Sequence, residues 1–151
     1  MANGISSAKY EVAGVFRFLV EIDGLLSGGF THVSGLEVET EEEEYHEGGL
    51  NEYSHHIPVR TKYSRLVLRK GFASSNDLWD WYEQVTSGKI SRKSGSIILL
   101  DARGQEICRW NFFDAYPVKW TGPELDSESS RIAVETLEIV HNGIKAITSR
   151  G

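Results

Sequence analysis

The 151-residue sequence has one cysteine, Cys108, so no disulfide can form within the chain. That argues against a disulfide-stapled secreted module and fits folding in a reducing cytoplasm. Three prolines, Pro58, Pro117 and Pro123, are too few for a proline-rich linker. No apolar run approaches the roughly 18 residues that a spanning helix needs. The longest purely aliphatic stretch is Ile97-Ile98-Leu99-Leu100. The start, Met1 to Ser7, has neither a basic n-region nor an apolar h-region, so no secretory signal is expected. An excess of positive charge is missing too. The formal net charge is -6, the 16 basic residues are scattered, and the one dense charge block is acidic, Glu41 to Glu44. Specific nucleic-acid binding is not expected of such a surface. Motifs that carry chemistry are also missing. There is no Gly-x-Gly-x-x-Gly, no phosphate loop, no Gly-x-Ser-x-Gly elbow and no pair of Cys-x-x-Cys sites.

What is present is enough for one core. The hydrophobic share is 40% and the length suits a single domain over residues 1–151. The dominant signal is alternation with period two, the mark of half-buried strands. Val12, Gly14, Phe16, Phe18, Val20 and Ile22 share one phase before the Asp23-Gly24 turn. Leu36, Val38 and Thr40 oppose Glu37, Glu39, Glu41 and Glu43. Leu66 and Leu68 oppose Arg65, Val67 and Arg69. Ser96 to Asp101 is continuously apolar, Asp101 to Gly104 makes a turn, and Cys108, Trp110 and Phe112 return on one face. Arg131 to Val140 changes phase between Ile132/Val134 and Leu137/Ile139, which a bulge or a second buried face would explain. Residues 50–61 have no steady period and contain His55, His56 and Pro58. They read as part of a long excursion from the sheet, about 43–61. One segment has helical spacing: Leu78, Trp81, Tyr82 and Val85 lie on one face of a short helix over about 75–87. Ser75 or Asn76 can cap it, and Gly88 ends it. The expected fold is mainly β, an antiparallel barrel or sandwich with that one flanking helix. Residues 1–11 form an N-terminal arm and 144–151 a short C-terminal tail.

Three constellations invite a chemical reading. His46, His55 and His56 near Glu44 and Glu47 suggest a metal site. Adjacent histidines on an extended chain point to opposite sides, so a solvated or interface loop is favoured. The glutamates of the acidic strand form a row on a wet face rather than a pair in a dry pocket, which disfavours acid–base catalysis. Cys108 alternates with core aromatics and reads as packing. Trp79 lies off the helical stripe and is a candidate contact with another subunit. No catalytic residue, cofactor or metal is expected.

The order of motifs resembles one family. Phe16-Arg17-Phe18 is followed by Phe30-Thr31-His32-Val33-Ser34-Gly35-Leu36-Glu37 and Glu44-Tyr45-His46-Glu47-Gly48-Gly49. Leu68-Arg69-Lys70-Gly71 and Asp77-Leu78-Trp79-Asp80-Trp81-Tyr82 come next. Trp110-Asn111-Phe112, Ala115-Tyr116-Pro117-Val118-Lys119-Trp120-Thr121-Gly122-Pro123 and Ile132 to Ile139 complete the set. Together, over Val12 to Gly143, they are similar to the tail tube proteins of contractile phages and phage-tail-like injection systems. The resemblance implies a structural protein and no enzyme. Hexameric rings would stack into a rigid inner tube, surrounded by a sheath and ended by baseplate, spike and tail-terminator proteins. DNA or protein effectors would pass through its lumen. Such a protein is made in the bacterial cytoplasm and ends in a virion tail or a released injection particle. It also implies that the long loop reaches neighbouring subunits, which makes Tyr45, Leu50, Tyr53 and Ile57, with Trp79, candidate inter-subunit contacts. Glu37, Glu39 and Glu41 are then candidates to line the lumen, against the alternative of salt bridges to Arg65 or Arg69. Two other classes remain as alternatives, a monomeric β-barrel that binds a small ligand and a His/Glu metal-dependent hydrolase.

Overall fold

Segments of period-two alternation form strands, and the segment of period 3.6 forms a helix. The computed structural model describes residues 17–25, 28–45, 55–72 and 76–148. The expected N-terminal arm and the Val12–Phe16 part of the first strand lie outside the described residues. Along the chain run β1 (Arg17–Ile22), β2 (Phe30–Ser34), β3 (Val38–Tyr45), β4 (His55–Tyr63) and β5 (Leu66–Gly71). Helix α1 (Asp77–Thr86) follows, then β6 (Lys93–Leu100), β7 (Glu106–Thr121), β8 (Val134–Val140) and β9 (Ile144–Thr148). All strand pairs are antiparallel. Seven strands form one sheet in the order β1-β6-β7-β8-β5-β2, with β9 beside β7. β3 and β4 pair with each other as a separate hairpin.

β7 organises the sheet because it is long, 16 residues. Its first half has β6 on one side and β9 on the other, with Trp110 opposite both Ile97 and Ala146. Its second half pairs with β8, Trp120 opposite Leu137. The halves meet at a corner, where Asp114 has a φ of 52°, in the left-handed region that a β-carbon disfavours. There the Phe113 N–H donates to the Gly143 carbonyl (3.1 Å) and the Asn142 N–H to the Phe113 carbonyl (2.9 Å). β8 and β9 thus follow β7 around one bend, and the sheet folds on itself. Its inward faces share a core built from Val20, Ile22, Ile97, Phe112, Leu66, Leu68, Leu137 and Ile139. Each fully buried side chain of this size contributes roughly 1.5–3 kcal/mol. The expected barrel or sandwich takes this form.

α1 adds Leu78 and Trp81 to the same core, as the stripe requires. Asn76 is its N-cap, and Asp77 and Asp80 lie in the first turn, where the helix dipole favours them. Gly88, at φ 90°, ends it.

Three expectations need correction. Residues 55–61 are not aperiodic loop; they belong to β4. The segment read as a C-terminal tail carries β9. The phase change before β8 is neither a bulge in β8 nor a second core face. Ile132 precedes the strand and is exposed, while the inward series is Glu135, Leu137, Ile139. An acidic residue at an inward position disguises the phase. Glu135 is buried, accepts a hydrogen bond from Trp120 Nε1 (3.1 Å) and lies opposite Lys70 in register. Burial of a carboxylate is tolerated only with such partners.

Candidate functional site

A strand that projects from a domain must either bury one face on something or present two faces to water. The β3–β4 hairpin presents two. Gly35 lets the chain leave β2, with φ 91° and no room for a side chain. A β-carbon there would overlap the Arg65 carbonyl. Beyond that base every residue of β4 is exposed, and of β3 all but Glu41. Val38, Tyr45, Ile57 and Val59 are each between 49% and 59% exposed, which is unusual for strand residues of this type in a finished surface.

The register sorts the hairpin into two faces. One carries Glu39, Glu41, Glu43 and Tyr45, opposite Lys62, Arg60, Ile57 and His55. The other carries Val38, Thr40, Glu42 and Glu44, opposite Tyr63, Thr61, Pro58 and His56. On the first face Lys62 pairs with Glu41, and the hydrogen bond to that carboxylate holds the Lys62 ammonium above the ordinary lysine range. Tyr45 and His55 have their rings 6.4 Å apart. On the second face His56 Nδ1 lies 3.2 Å from Glu42, and the Thr40 and Thr61 hydroxyls are 3.3 Å apart. Exposed pairs of this kind contribute about 0–1 kcal/mol each. The hairpin is therefore shaped mainly by its backbone ladder.

At its base the hairpin is fastened to the corner of the sheet. His141, just after β8, accepts the Gly143 N–H at Nδ1 (3.2 Å), so its Nε2 carries the proton and donates to the Ser64 carbonyl (3.1 Å). Tyr63 packs on the same ring at 5.5 Å. Burial pushes the His141 pKa below the ordinary histidine value, and the Ser64 carbonyl offsets only part of that.

Of the residues singled out from sequence, Tyr45 and Ile57 share the first face of the hairpin. Leu50 and Tyr53 lie outside the described residues, as do His46 and Glu47. Trp79 is elsewhere, on α1, 39% exposed and packed edge-on against Trp120 with ring centres 4.8 Å apart. Glu37 precedes β3, and its carbonyl accepts the Ser64 N–H at 3.3 Å. Glu39 and Glu41 face Lys62 and Arg60 in register. Arg65 instead approaches Glu138, at 3.9 Å. Sequence reasoning missed the cations of β4, although the alternation of Arg60 and Lys62 with Val59, Thr61 and Tyr63 was there to be read. His55 and His56 fall on opposite faces. Among the described residues no three His, Cys, Asp or Glu side chains are grouped to hold a metal ion. A cleft of about 620 Å³ beside β5 is lined by Arg69, Glu124, Asp126, Ser129 and Arg131 among others, charges of both signs rather than an apolar pocket.

Comparison with known proteins bears on this surface. The sequence pattern of the family described as T4-like virus tail tube protein gp19 matches residues 14–145. No curated protein matches the sequence. Among solved structures, a chain of the sheath–tube complex of PVC, an extracellular contractile injection system in the extended state, superposes with a TM-score of 0.83. It is 26% identical, and the match covers 98% of this chain and 100% of that one. A chain of the anti-feeding prophage (AFP) baseplate gives 0.81 at 24% identity, covering 91% of this chain and 97% of that one. Hcp1 from Flavobacterium johnsoniae shares the fold at 0.60 and 19% identity, over 87% and 95% of the two chains.

Proposed function

The chain belongs to the tail tube protein family, and from that premise we propose that copies of it close into hexameric rings which stack as the inner tube of a contractile injection system. It is a structural protein, not an enzyme. The observation that carries the proposal beyond family membership is the β3–β4 hairpin, whose apolar side chains have nothing to cover them within the described chain. A second support is the open sheet. β1 and β2 end the strand order, each with one edge unpaired among the described residues. Unpaired edges invite aggregation unless another chain adds to them, and a head-to-tail contact whose rotation closes gives a ring.

In this reading Tyr45 and Ile57, with Leu50 and Tyr53 of the segment between β3 and β4, bear on a neighbouring copy. Trp79 divides its surface between Trp120 and a partner. Glu37, Glu39 and Glu41 face the lumen, where Lys62 neutralises part of their charge. The relatives come from sheath–tube, baseplate and cap assemblies. A sheath around the tube, a baseplate below it and a terminating cap above it are accordingly the partners proposed here, with DNA or protein effector as cargo. The particle is assembled in the bacterial cytoplasm and works as a virion tail or as a released injection particle.

Negative-stain microscopy of the purified chain tests the proposal. Six-membered rings, and tubes with an axial channel at high concentration, are the expected particles. A chain that stays monomeric at millimolar concentration and shows no rings would overturn it.

A further inference from the structure

We propose that the distal part of the first hairpin face, Glu43 with Tyr45 and Ile57, docks on the Lys89–Lys93 segment of a second copy, Ile57 against Ile90 and Glu43 between Lys89 and Arg92. The inference rests on the tube reading and names the surface that receives the hairpin. Lys89-Ile90-Ser91-Arg92-Lys93 gathers three of the chain's 16 basic residues into five positions. Ile90 stands among them 58% exposed. None of the three cations forms an ion pair among the described residues.

The segment is held in shape although all of it but Lys93, the first residue of β6, lies between α1 and β6. Gly88 turns the chain out of the helix, and the Lys89 N–H donates to the Gln84 carbonyl at 3.0 Å. Trp81 Nε1, from the core, donates to the Ser91 carbonyl at 2.8 Å. The Arg92 guanidinium lies over the Tyr116 ring at 5.0 Å. A site fixed in advance loses little conformational freedom on binding.

The hairpin matches it in kind. Its first face carries Glu39 and Glu41 opposite Lys62 and Arg60, and on the distal half, beyond both cations, Glu43 adjoins Ile57 and Tyr45. A glutamate beside an exposed isoleucine meets a basic segment with an exposed isoleucine, so burial supplies affinity and charge supplies register. The two most exposed large apolar side chains among the described residues, Leu125 and Ile132 in the β7–β8 loop, lie with Glu124, Asp126 and Glu128 against Arg131, so that loop offers Glu43 a less favourable charge than the Lys89–Lys93 segment.

Two experiments on assembled tubes test the contact. In a Cys108→Ser background, Ile57→Cys combined with Ile90→Cys should give an interchain disulfide ladder on oxidation, read on a non-reducing gel. Tubes that assemble but yield no interchain cross-link overturn the proposal. Separately, Glu43→Arg should raise the concentration at which tubes form about tenfold, and Lys89→Glu with Arg92→Glu should do the same. Combining all three should bring that concentration back to within about threefold of the parent. Parent tubes with unaffected variants, or with no recovery in the combination, overturn this contact and leave the tube reading standing. A parent chain that forms neither rings nor tubes overturns both.

Discussion

His141 joins two elements that the sequence keeps far apart. Its neutral ring spans the Ser64 carbonyl at the root of the hairpin and the Gly143 N–H at the corner of the sheet. Protonation would put a hydrogen on Nδ1 against that N–H. Because burial lowers the folded pKa from 6.5, the unfolded chain binds the proton more readily. The stability this histidine contributes is therefore complete above the unfolded value and is lost as pH falls from there through the folded one. Thermal unfolding followed from about pH 7 down to about pH 5, above the range in which most carboxylates titrate, should show the midpoint falling in the wild type and less so in His141→Gln. Parallel profiles would show that the ring does not couple the hairpin to the corner. Gly35 sits at the same root for a different reason, since both its backbone conformation and the nearby Arg65 carbonyl exclude a side chain. Gly35→Ala should cost about 2–3 kcal/mol, measured by denaturant unfolding.

At the scale of elements, the hairpin separates stability from assembly. Its side chains are exposed and outside the core, so Ile57→Asp should leave the unfolding free energy within about 0.5 kcal/mol of the parent. The same change should abolish tubes in micrographs, because it places a carboxylate in a contact that depends on apolar burial. Tubes of normal yield would remove Ile57 from any interface. The hairpin is also the element least legible in the sequence, for physical reasons. β4 has no buried face to impose a period, Pro58 argues against a strand, and a register shift opposite Glu41/Glu42 moves the alternation partway along. An edge of the hairpin can hold a proline because no ladder bond is then lost. Helix α1 is the opposite case. Its stripe packs on the core, so Leu78 and Trp81 are legible from spacing alone. Trp79 was legible only as lying off the stripe. Its partner Trp120 comes from the far end of β7, and no local spacing reports a contact made by tertiary folding. Glu135 misled for the related reason that its hydrogen-bond donor is also Trp120.

At the scale of the whole assembly, charge that is modest on one chain is multiplied around a ring. Each subunit would bring Glu37 and Glu39, both exposed, to the same radius six times over. Such density is tolerable only where water and counterions reach it, since screening acts over about 8–10 Å at physiological salt. A lumen meets that condition and gains from it, because a wall of net negative charge does not adsorb DNA or acidic protein in transit. Glu37 and Glu39 suit the test better than Glu41, whose pairing with Lys62 belongs to the hairpin itself. The Glu37→Lys, Glu39→Lys double variant should assemble as the parent does. Its tubes should then retain a short single-stranded oligonucleotide and shield it from nuclease, while parent tubes leave the same oligonucleotide open to digestion. Shielding distinguishes the channel from the outer wall, where bound nucleic acid stays accessible. Tubes that bind the oligonucleotide without protecting it would place these carboxylates outside. A variant that folds but forms no rings would place them in a contact between subunits.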